Sequence, residues 1–328
     1  MSRLNLLSKT LAGVCAAATL SFAGAAQAAD DFPNRPVTIV VPYAAGGSND
    51  LIARLVGAGM SPFLGNNVVV VNAPGASGTI GASRVVNAAP DGYTILLGSP
   101  SEISIAHQVN TAVKYDGERD LAPIGQVGSQ PLALVAAPNG KIKDVASFME
   151  VTKTEEFRYG TSGIATPLHL AGELIAKESG GKMYHVPYKG GAPAITDIMG
   201  GQTEGGVLVF STVLPHIRSG ALRGIGVTSA KRAEAAPDLP ALAETPALKG
   251  VDIALWFGLW APAKTDPAII DKLSKALEQA VADPATNGKL KEAGLSVEYR
   301  DPKSFKSYIA EETVKFGKIA KDANVQAN

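Results

Sequence analysis

The chain has 328 residues with 30 basic and 30 acidic side chains, so its formal net charge at pH 7 is zero. This length predicts two domains, and the hydrophobic fraction of 46% is enough for sizeable cores. Because no long basic run occurs, nucleic-acid binding is not expected. The aromatic fraction of only 6% favours layered α/β packing, in which small residues let helices lie close to a sheet.

Residues 1–29 have the pattern of a cleaved export signal. Arg3 and Lys9 precede an apolar stretch that ends in a small-x-small motif at residues 26–28. We therefore expect cleavage near Ala28 or Ala29 and a mature protein in the periplasm. The alternative is a membrane anchor, for which the apolar stretch is short.

The first strand–turn–helix unit follows this segment. A β-branched run at Val37–Val41 predicts a buried strand, and apolar residues from Leu51 onward recur at helical spacing. The first amides of a helix have no partner within it and suit an anion. We predict ligand contacts here from Tyr43, Ala44, Ala45, Gly46, Gly47, Ser48 and Asn49. Asp50 is predicted to cap the helix or to orient the turn amides instead.

Further strands predict a parallel sheet in this half of the chain, because a βαβαβ order implies right-handed crossovers. The predicted elements are a strand at 68–71, a turn at 74–78, a helix at 80–89 and a strand at 93–97. Ser99 and Ser101 follow the last of these strands, and we predict that they contact the far end of a ligand. The neighbouring Glu102 could face that end as well.

A second unit of the same kind lies in the other half of the chain. The segment 157–159 predicts a strand and residues 167–179 a helix. We predict ligand contacts from the turn between them, at Thr161, Ser162, Gly163, Ala165 and Thr166. Thr166 is equally suited to cap the helix. His169 is a further candidate contact, although a purely structural role is the commoner one for such a histidine.

The rest of the chain predicts a second βα series, a strand that returns to the first domain, and a helical tail. The predicted elements are strands at 183–186, 206–210, 223–228 and 253–261, and helices at 192–200, 213–219, 269–281 and 305–319. Tyr188 ends one strand, as Tyr43 does, and both rings are predicted to wall a ligand. Val209 and Phe210 are predicted as further wall residues.

These patterns predict an α/β fold of two lobes, each a mostly parallel sheet flanked by helices, joined by two crossing strands. We place domain 1 at 30–128 plus 256–328 and domain 2 at 129–255. Ligands in open α/β sheets sit outside the carboxyl ends of the strands. The two glycine-rich turns are therefore predicted to grip one anionic ligand from two sides.

No motif for a metal, cofactor or covalent chemistry is found. The four histidines lack metal-ligand spacing, no dinucleotide or P-loop fingerprint occurs, and Cys15, the single cysteine, lies in the predicted signal. We expect neither a metal nor a cofactor. An exported ester hydrolase using Ser162 and His169 is an alternative, but the segment 160–164 departs from the G-x-S-x-G elbow at its last position.

Several segments resemble the Bug-type solute-binding receptors of tripartite tricarboxylate transporters. The matching segments are Pro33–Val37, Val41–Asp50, Asn72–Gly78, Ala89–Thr94, His185–Gly190, Leu214–Ile217, Val227–Arg232 and Trp256–Leu259. The similarity extends from about residue 33 to residue 324. The resemblance implies a two-lobed periplasmic binding fold, without catalysis, that closes on a carboxylate held by the turns 44–50 and 161–166.

The resemblance also implies a partner, the membrane permease that receives the ligand, whereas some relatives serve sensor proteins instead. We expect a monomer. One stretch departs from the family pattern: Leu208 and Val209 stand where relatives carry a polar Asp-Asn pair. An apolar wall disfavours an ammonium group, so we predict an aromatic or short aliphatic mono- or dicarboxylate, such as terephthalate or a C4–C6 diacid, and not an amino acid.

Overall fold

The computed structural model describes residues 32–327, so the predicted export signal lies outside the described residues. The strands are β1 Val37–Val41, β2 Val68–Asn72, β3 Thr94–Gly98, β4 Leu121–Ala136, β5 Phe157–Thr161, β6 Met183–Pro187, β7 Gly205–Val209, β8 Arg223–Val227, β9 Ala254–Pro262 and β10 Ser296–Arg300. None of the helices in this range is long and apolar enough to cross a membrane.

The helices flank two sheets, and most of them follow strands as the sequence predicts. They are α1 Ser48–Leu64, α2 Thr79–Val86, α3 Ala106–Val109, α4 Gly117–Asp120, α5 Val145–Thr154, α6 Pro167–Ser179, α7 Gly191–Met199, α8 Phe210–Arg218, α9 Pro267–Ala282, α10 Pro284–Glu292 and α11 Pro302–Asp322. A π-helix at Ser101–Ile105 precedes α3. π-Helical turns are rare and often mark functional sites.

Local sequence explains where the two longest site helices begin and end. Helix α6 starts with Thr166 as N-cap and Pro167 in the first turn, and it stops at Gly180 in a left-handed conformation. Helix α1 stops at Gly65 in the same way, but its N-cap is Gly47, which offers no side chain to the first amides.

Strand β4 belongs to both sheets. Its first part, up to Pro131, pairs with β9 and β10, and its last part, from Leu132, pairs with β7 and β8. Register shifts at Gly125 and Gly128 let the strand change partners along its length. The prolines and glycines of Leu121–Ala136 are therefore irregularities of one continuous strand.

The pairing of β4 makes the two sets of parallel strands point at each other. In lobe 1, β1, β2 and β3 run in the direction of β4, since β3 and β4 are both antiparallel to β9. In lobe 2, β5, β6 and β7 run against β4. The carboxyl ends of both parallel sets therefore face the junction between the lobes.

The two-lobed α/β fold predicted from the sequence is confirmed, with one correction to the sheets. Each sheet is parallel over three strands only, and antiparallel where β4, β8, β9 or β10 joins it. The sheets are thus mixed and not mostly parallel, because the strands that cross between lobes must run back against their neighbours.

The chain crosses between the sheets at two places. It leaves lobe 1 along β4 between Pro131 and Leu132, and it returns through Ile253, whose amide donates to the carbonyl of Thr228. The domain boundaries predicted from the sequence, 128/129 and 255/256, stay predictions.

A substitution at Gly128 tests whether the stability of the fold depends on the change of pairing partners along β4. A Cβ at this position would collide with the carbonyl oxygen of Ser296 on β10, and the backbone has a positive φ of 157°. We expect Gly128→Ala to lower the free energy of unfolding by about 2 kcal/mol or more, measured by urea denaturation. Gly288→Ala, where a Cβ meets open space, is the control and should change stability by less than about 1 kcal/mol.

Candidate functional site

A cavity of about 410 Å³ lies between the lobes, where the carboxyl ends of the strands face each other. Lobe 1 lines it with Ala76, Ser77, Thr79, Ser101, Ala106, Val109 and Asn110. Lobe 2 lines it with Gly163, Ile164, Ala165, Pro187, Tyr188 and Lys189, and the chain's last described residue, Ala327, completes the wall. The cavity therefore has the position that ligands take in open α/β sheets.

The backbone around this cavity is unusual. Among residues 32–327, the non-glycine residues with positive φ are Ala76, Ser77, Ala165 and Asn324, and the first three line the cavity. Ala76 and Ser77 stand between Gly75 and Gly78, which also have positive φ, so four consecutive residues lie in this region. Such conformations cost free energy and concentrate at ligand sites.

A buried hydrogen-bond network holds the lobe 2 turn. The amide of Ala165 donates to Nδ1 of His169 at 3.1 Å, and the amide of His169 donates to the Thr166 hydroxyl at 3.3 Å. Because Nδ1 accepts, neutral His169 carries its proton on Nε2, which lies 3.5 Å from a carboxylate oxygen of Glu173. Both ring nitrogens of His169 are thus engaged within lobe 2.

A second histidine extends this network beneath the turn. The ring of His185 stacks on that of His169 with centroids 3.7 Å apart, and its Nε2 lies 2.7 Å from the hydroxyl of Thr161. Burial, helped by the positive character of His169, lowers the pKa of His185 to about 4. His185 is therefore neutral at pH 7, and the stacked pair avoids repulsion between two charged rings.

In lobe 1, Asp50 organises the turn that precedes α1. Its carboxylate accepts hydrogen bonds from the Gly46 amide and from Nε of Arg54, both at 3.0 Å, and from the Asn72 side chain at 3.0 Å. The bond from Arg54, with those from Gly46 and Asn72, lowers the pKa of Asp50 to about 2. Asp50 therefore stays charged and points into the turn instead of towards the cavity.

A buried carboxyl group lies behind the lobe 1 wall. Glu102 is 0% exposed and accepts from the Tyr43 hydroxyl at 2.9 Å, from the Ser99 hydroxyl at 3.0 Å and from the Ser99 amide at 2.5 Å. Burial raises the pKa of Glu102 to about 7, against the lowering effect of these bonds. Burial together with the charge of Glu102 also raises the pKa of Tyr43.

The structure brings some of the predicted site residues to the cavity wall and leaves others elsewhere. Those that line it are Ser101, Gly163, Ala165 and Tyr188. Ala44, Ala45, Gly46 and Gly47 are exposed outside the lining, and Ser48, Asn49 and Ser162 are half-buried outside it. Tyr43 and Ser99 stand behind the wall beside Glu102, while Thr161, Thr166 and His169 support the lobe 2 turn from within.

The structure places the residues of the apolar wall predicted around β7 outside the cavity lining. Leu208 and Phe210 are only 1% and 2% exposed and pack in the core, and the half-buried Val209 does not line the cavity. Strand β7 is central in its sheet, between β4 and β5, so its side chains are covered on both faces. The apolar character of these residues therefore does not indicate which chemical groups a ligand carries.

The proposed hydrolase pair is not assembled. Among residues 32–327, no hydrogen bond joins Ser162 to His169, because the two ring nitrogens of His169 face Ala165 and Glu173. A nucleophile and its base need to lie within hydrogen-bond reach of each other. The geometry therefore lends no support to catalysis by these residues.

Sequence reasoning missed part of the lobe 1 wall and the contribution of the chain's end. The turn at Ala76–Gly78 was interpreted as an ordinary backbone turn, and its paired glycines were the only local sign of a left-handed backbone. Lys189, which directly follows Tyr188, also lines the cavity. Ala327 reaches the cavity because its amide donates to the carbonyl of Val109 at 2.9 Å, a contact that no local pattern could indicate.

His169 can be tested as the residue that fixes the lobe 2 turn. His169→Leu leaves the buried Ala165 amide without an acceptor, so we expect a loss of about 1–3 kcal/mol in unfolding free energy, measured by urea denaturation. His169→Asn places an amide oxygen near the former Nδ1 and should recover part of this loss. Equal losses in the two variants would contradict the role of this hydrogen bond.

Comparison with known proteins agrees with this arrangement. Residues 52–325 match the sequence profile described as tripartite tricarboxylate transporter family receptor, TctC. BugT of Bordetella pertussis strain Tohama I is 31% identical over 301 residues, which cover 91% of this chain and 92% of BugT.

Two solved structures are similar along nearly the whole described fold. The periplasmic binding protein BugD has a TM-score of 0.79 and 34% identity, covering 90% of this chain and 100% of BugD. An R. palustris protein solved with adipate has a TM-score of 0.81 and 30% identity, covering 90% of this chain and 99% of that protein. From the profile match and these similarities, the chain belongs to the receptor family of the tripartite tricarboxylate transporters.

Proposed function

We propose that this protein is a periplasmic receptor that captures a small carboxylate in the cavity between its lobes. The ligand class is a mono- or dicarboxylate with an aliphatic or aromatic body. The proposal agrees with the family and with the adipate in the related R. palustris structure. It also rests on features of the cavity itself.

The charge of the cavity wall carries the proposal. Among the described residues that line the cavity, Lys189 is the one with a charged side chain, and no carboxylate stands with it. The remaining lining residues are apolar, hydroxyl-bearing or amide-bearing. A cationic end beside an otherwise neutral wall favours an anionic ligand over a cationic one.

Backbone amides supply the rest of the anion site in this proposal. Helix α6 points its N-terminus at the cavity, and Gly163, Ile164 and Ala165 of the preceding turn line it. The Gly163 amide donates to the Thr161 hydroxyl and the Ala165 amide to His169, so among these three described residues the Ile164 amide is the donor left for a ligand. In lobe 1, the first turn of α1 has no side-chain cap, and Nδ2 of Asn49 is buried without a partner among the described residues. Closure of the lobes would bring this second set of donors to the same carboxylate.

The predicted site residues take two kinds of role in this proposal. Direct contacts to the ligand come from the turn that contains Gly163 and Ala165, and from Tyr188 and Ser101. When the lobes close, residues 44–49 contact the ligand as well. Thr161, Thr166, His169 and Asp50 position these turns through the hydrogen bonds described above. Val209 and Phe210 are left without a ligand role.

We further propose that the mature chain is exported as a monomer and delivers its ligand to the membrane permease of a tripartite tricarboxylate-type transporter. A sensory co-receptor with the same fold is the alternative. Uptake of radiolabelled ligand by cells with and without the gene separates the two, because a co-receptor would alter expression but not the initial rate of uptake.

Binding of the carboxylate group can be tested by thermal shift. We expect a bound carboxylate, at a hundredfold excess over its dissociation constant, to stabilise the protein by about 2.7 kcal/mol, which raises the melting temperature by a few degrees. The panel is adipate, succinate, benzoate, phthalate, terephthalate and citrate. The methyl ester of each active compound is the control and should produce no shift.

The outcome of this screen decides the proposed function. Equal shifts by an acid and its ester would contradict recognition of a negative charge. A screen in which none of the carboxylates shifts the melting temperature would contradict the ligand class.

Lys189 is tested separately, because it lies on the wall and has an exposed side chain. We expect Lys189→Gln to weaken binding of an active carboxylate about two- to fivefold, the magnitude of an exposed ion pair, with a smaller dependence on salt. Isothermal titration calorimetry at low and high salt measures this. Lys231→Gln removes another exposed lysine outside the cavity lining and should leave the affinity unchanged.

A further inference from the structure

The tail, which we define as residues 325–327, follows helix α11 and reaches the cavity between the lobes. Ala327 is half-buried and belongs to the cavity lining. Terminal segments of a chain are poorly ordered unless hydrogen bonds or burial hold them. The contacts of the tail therefore decide whether it can form a lasting part of the wall.

A helix-ending motif fixes the direction in which the tail leaves α11. Asn324 has a positive φ of 51°, and its amide donates to the Lys321 carbonyl at 3.2 Å. The amide of Val325 donates to the Ala320 carbonyl at 2.8 Å. These two hydrogen bonds are those of a Schellman motif. Because Val325 and Ala320 are both buried, the tail starts from a defined position in the core.

The other end of the tail is bonded to lobe 1 at the cavity. The amide of Ala327 donates to the carbonyl of Val109 at 2.9 Å. Val109 is the last residue of α3, and the final carbonyls of a helix have no partner within it. The tail supplies such a partner. Since Ala106, Val109 and Asn110 line the cavity as well, α3 and the tail form adjoining parts of one wall.

Helix α11, which carries the tail, is itself bonded to both lobes. Its Thr313 hydroxyl donates to the hydroxyl of Ser104 in lobe 1 at 2.8 Å. Nearer the tail, Asp322 forms an ion pair of 2.7 Å with Lys177 of α6 in lobe 2. Helix α6 is the helix whose N-terminus points at the cavity. The tail therefore follows directly on a helix that contacts the structures on both sides of the ligand space.

The wall that α3 and the tail share offers mainly apolar surface. Ala106, Val109 and Ala327 are apolar, and Asn110 adds an uncharged amide. Among the described residues of the lining, the charged side chain is Lys189, which belongs to lobe 2 together with the turn before α6. A carboxylate held by lobe 2 would therefore direct the body of the ligand towards α3 and the tail.

The cavity is small, so the size of a single wall residue matters. Its volume of about 410 Å³ is near the lower end of the range of about 300–1,000 Å³ for ligand pockets. The side chain of Ala327 is only a methyl group, which leaves the space in front of the tail to a ligand. Because the adjacent Gln326 is exposed, the tail bounds the cavity on its solvent side.

We propose that the tail is a stop for the far end of the ligand, and that the small side chain of Ala327 sets the longest ligand that the cavity accepts. This inference rests on the proposed carboxylate receptor and adds a determinant of ligand length to it. Selection at this end acts through contact with apolar surface and not through charge. It therefore applies to aliphatic and aromatic carboxylates alike.

Series of ligands of graded length test this proposal. Diacids from succinate to suberate, monocarboxylates from butanoate to octanoate, and phenyl acids from benzoate to 3-phenylpropanoate each grow by one methylene group at a time. Titration calorimetry gives the dissociation constant of every member that binds. We expect a steep loss beyond one length, at least about tenfold for the first methylene group that does not fit. An affinity that changes smoothly over every series would contradict a stop.

Two substitutions move the stop in opposite directions without changing the charge. Ala327→Leu fills the space in front of the tail, so the steep loss should come at a ligand at least one methylene group shorter. Ala327→Pro removes the amide that bonds to Val109, so the first ligand that did not fit should gain at least about tenfold in affinity. Gln326→Leu is the matched control, since Gln326 lies outside the lining, and it should behave like the natural protein.

A measurement without ligand checks that the tail is held in place. Hydrogen exchange followed by NMR should show the Ala327 amide exchanging at least about tenfold more slowly than in the chain unfolded by urea. Exchange at the unfolded rate would overturn the proposal, because an unbound tail cannot act as a stop.

The outcomes distinguish this inference from the proposed function. If carboxylates bind and Ala327→Leu leaves the dependence on length unchanged, the stop is wrong and the receptor function stands. An equal loss of affinity at every length would also overturn the inference, because Ala327 would then obstruct entry instead of meeting the end of the ligand. If no carboxylate of any length binds, the proposed function fails and this inference fails with it.

Discussion

The site of this protein depends on one strand that serves two sheets. Because β4 pairs with β9 in lobe 1 and with β7 in lobe 2, the parallel strands of the two lobes must run towards each other. About six residues of β4 separate the level of Gly98 from that of Val209, or roughly 20 Å at about 3.3 Å per residue. The turns that leave both sets of strands meet in this interval, and the cavity between them follows from the pairing.

The two walls of the cavity are built on different principles. The lobe 2 turn is held by His169, which accepts from a main-chain amide and stacks on His185. Behind the lobe 1 wall there is instead a carboxyl group that can change its charge, covered by a backbone turn in a costly conformation.

The sequence predicted the strand–turn–helix units well, because β-branched runs, glycines and caps are local signals. It predicted both glycine-rich turns. It also offered two roles for Asp50, and one of them was to orient the amides of its own turn. It could not predict that Leu208 and Phe210 pack in the core, since an apolar residue near the end of a strand suits a wall equally well. Nor could it place Ala76 and Ser77 in left-handed conformations, because residues with a Cβ seldom adopt them and no local pattern marks the exceptions.

The anchoring of Ala327 beside the cavity has a practical consequence. The hydrogen bond from its amide to the Val109 carbonyl and the burial of Val325 fix the end of the described chain to lobe 1 next to the cavity. Anything fused beyond this point, such as an affinity tag, would emerge at the mouth of the cavity and obstruct it. By the same geometry, a small fluorophore attached there would sense the local environment directly and could turn the protein into an optical reporter of its own occupancy.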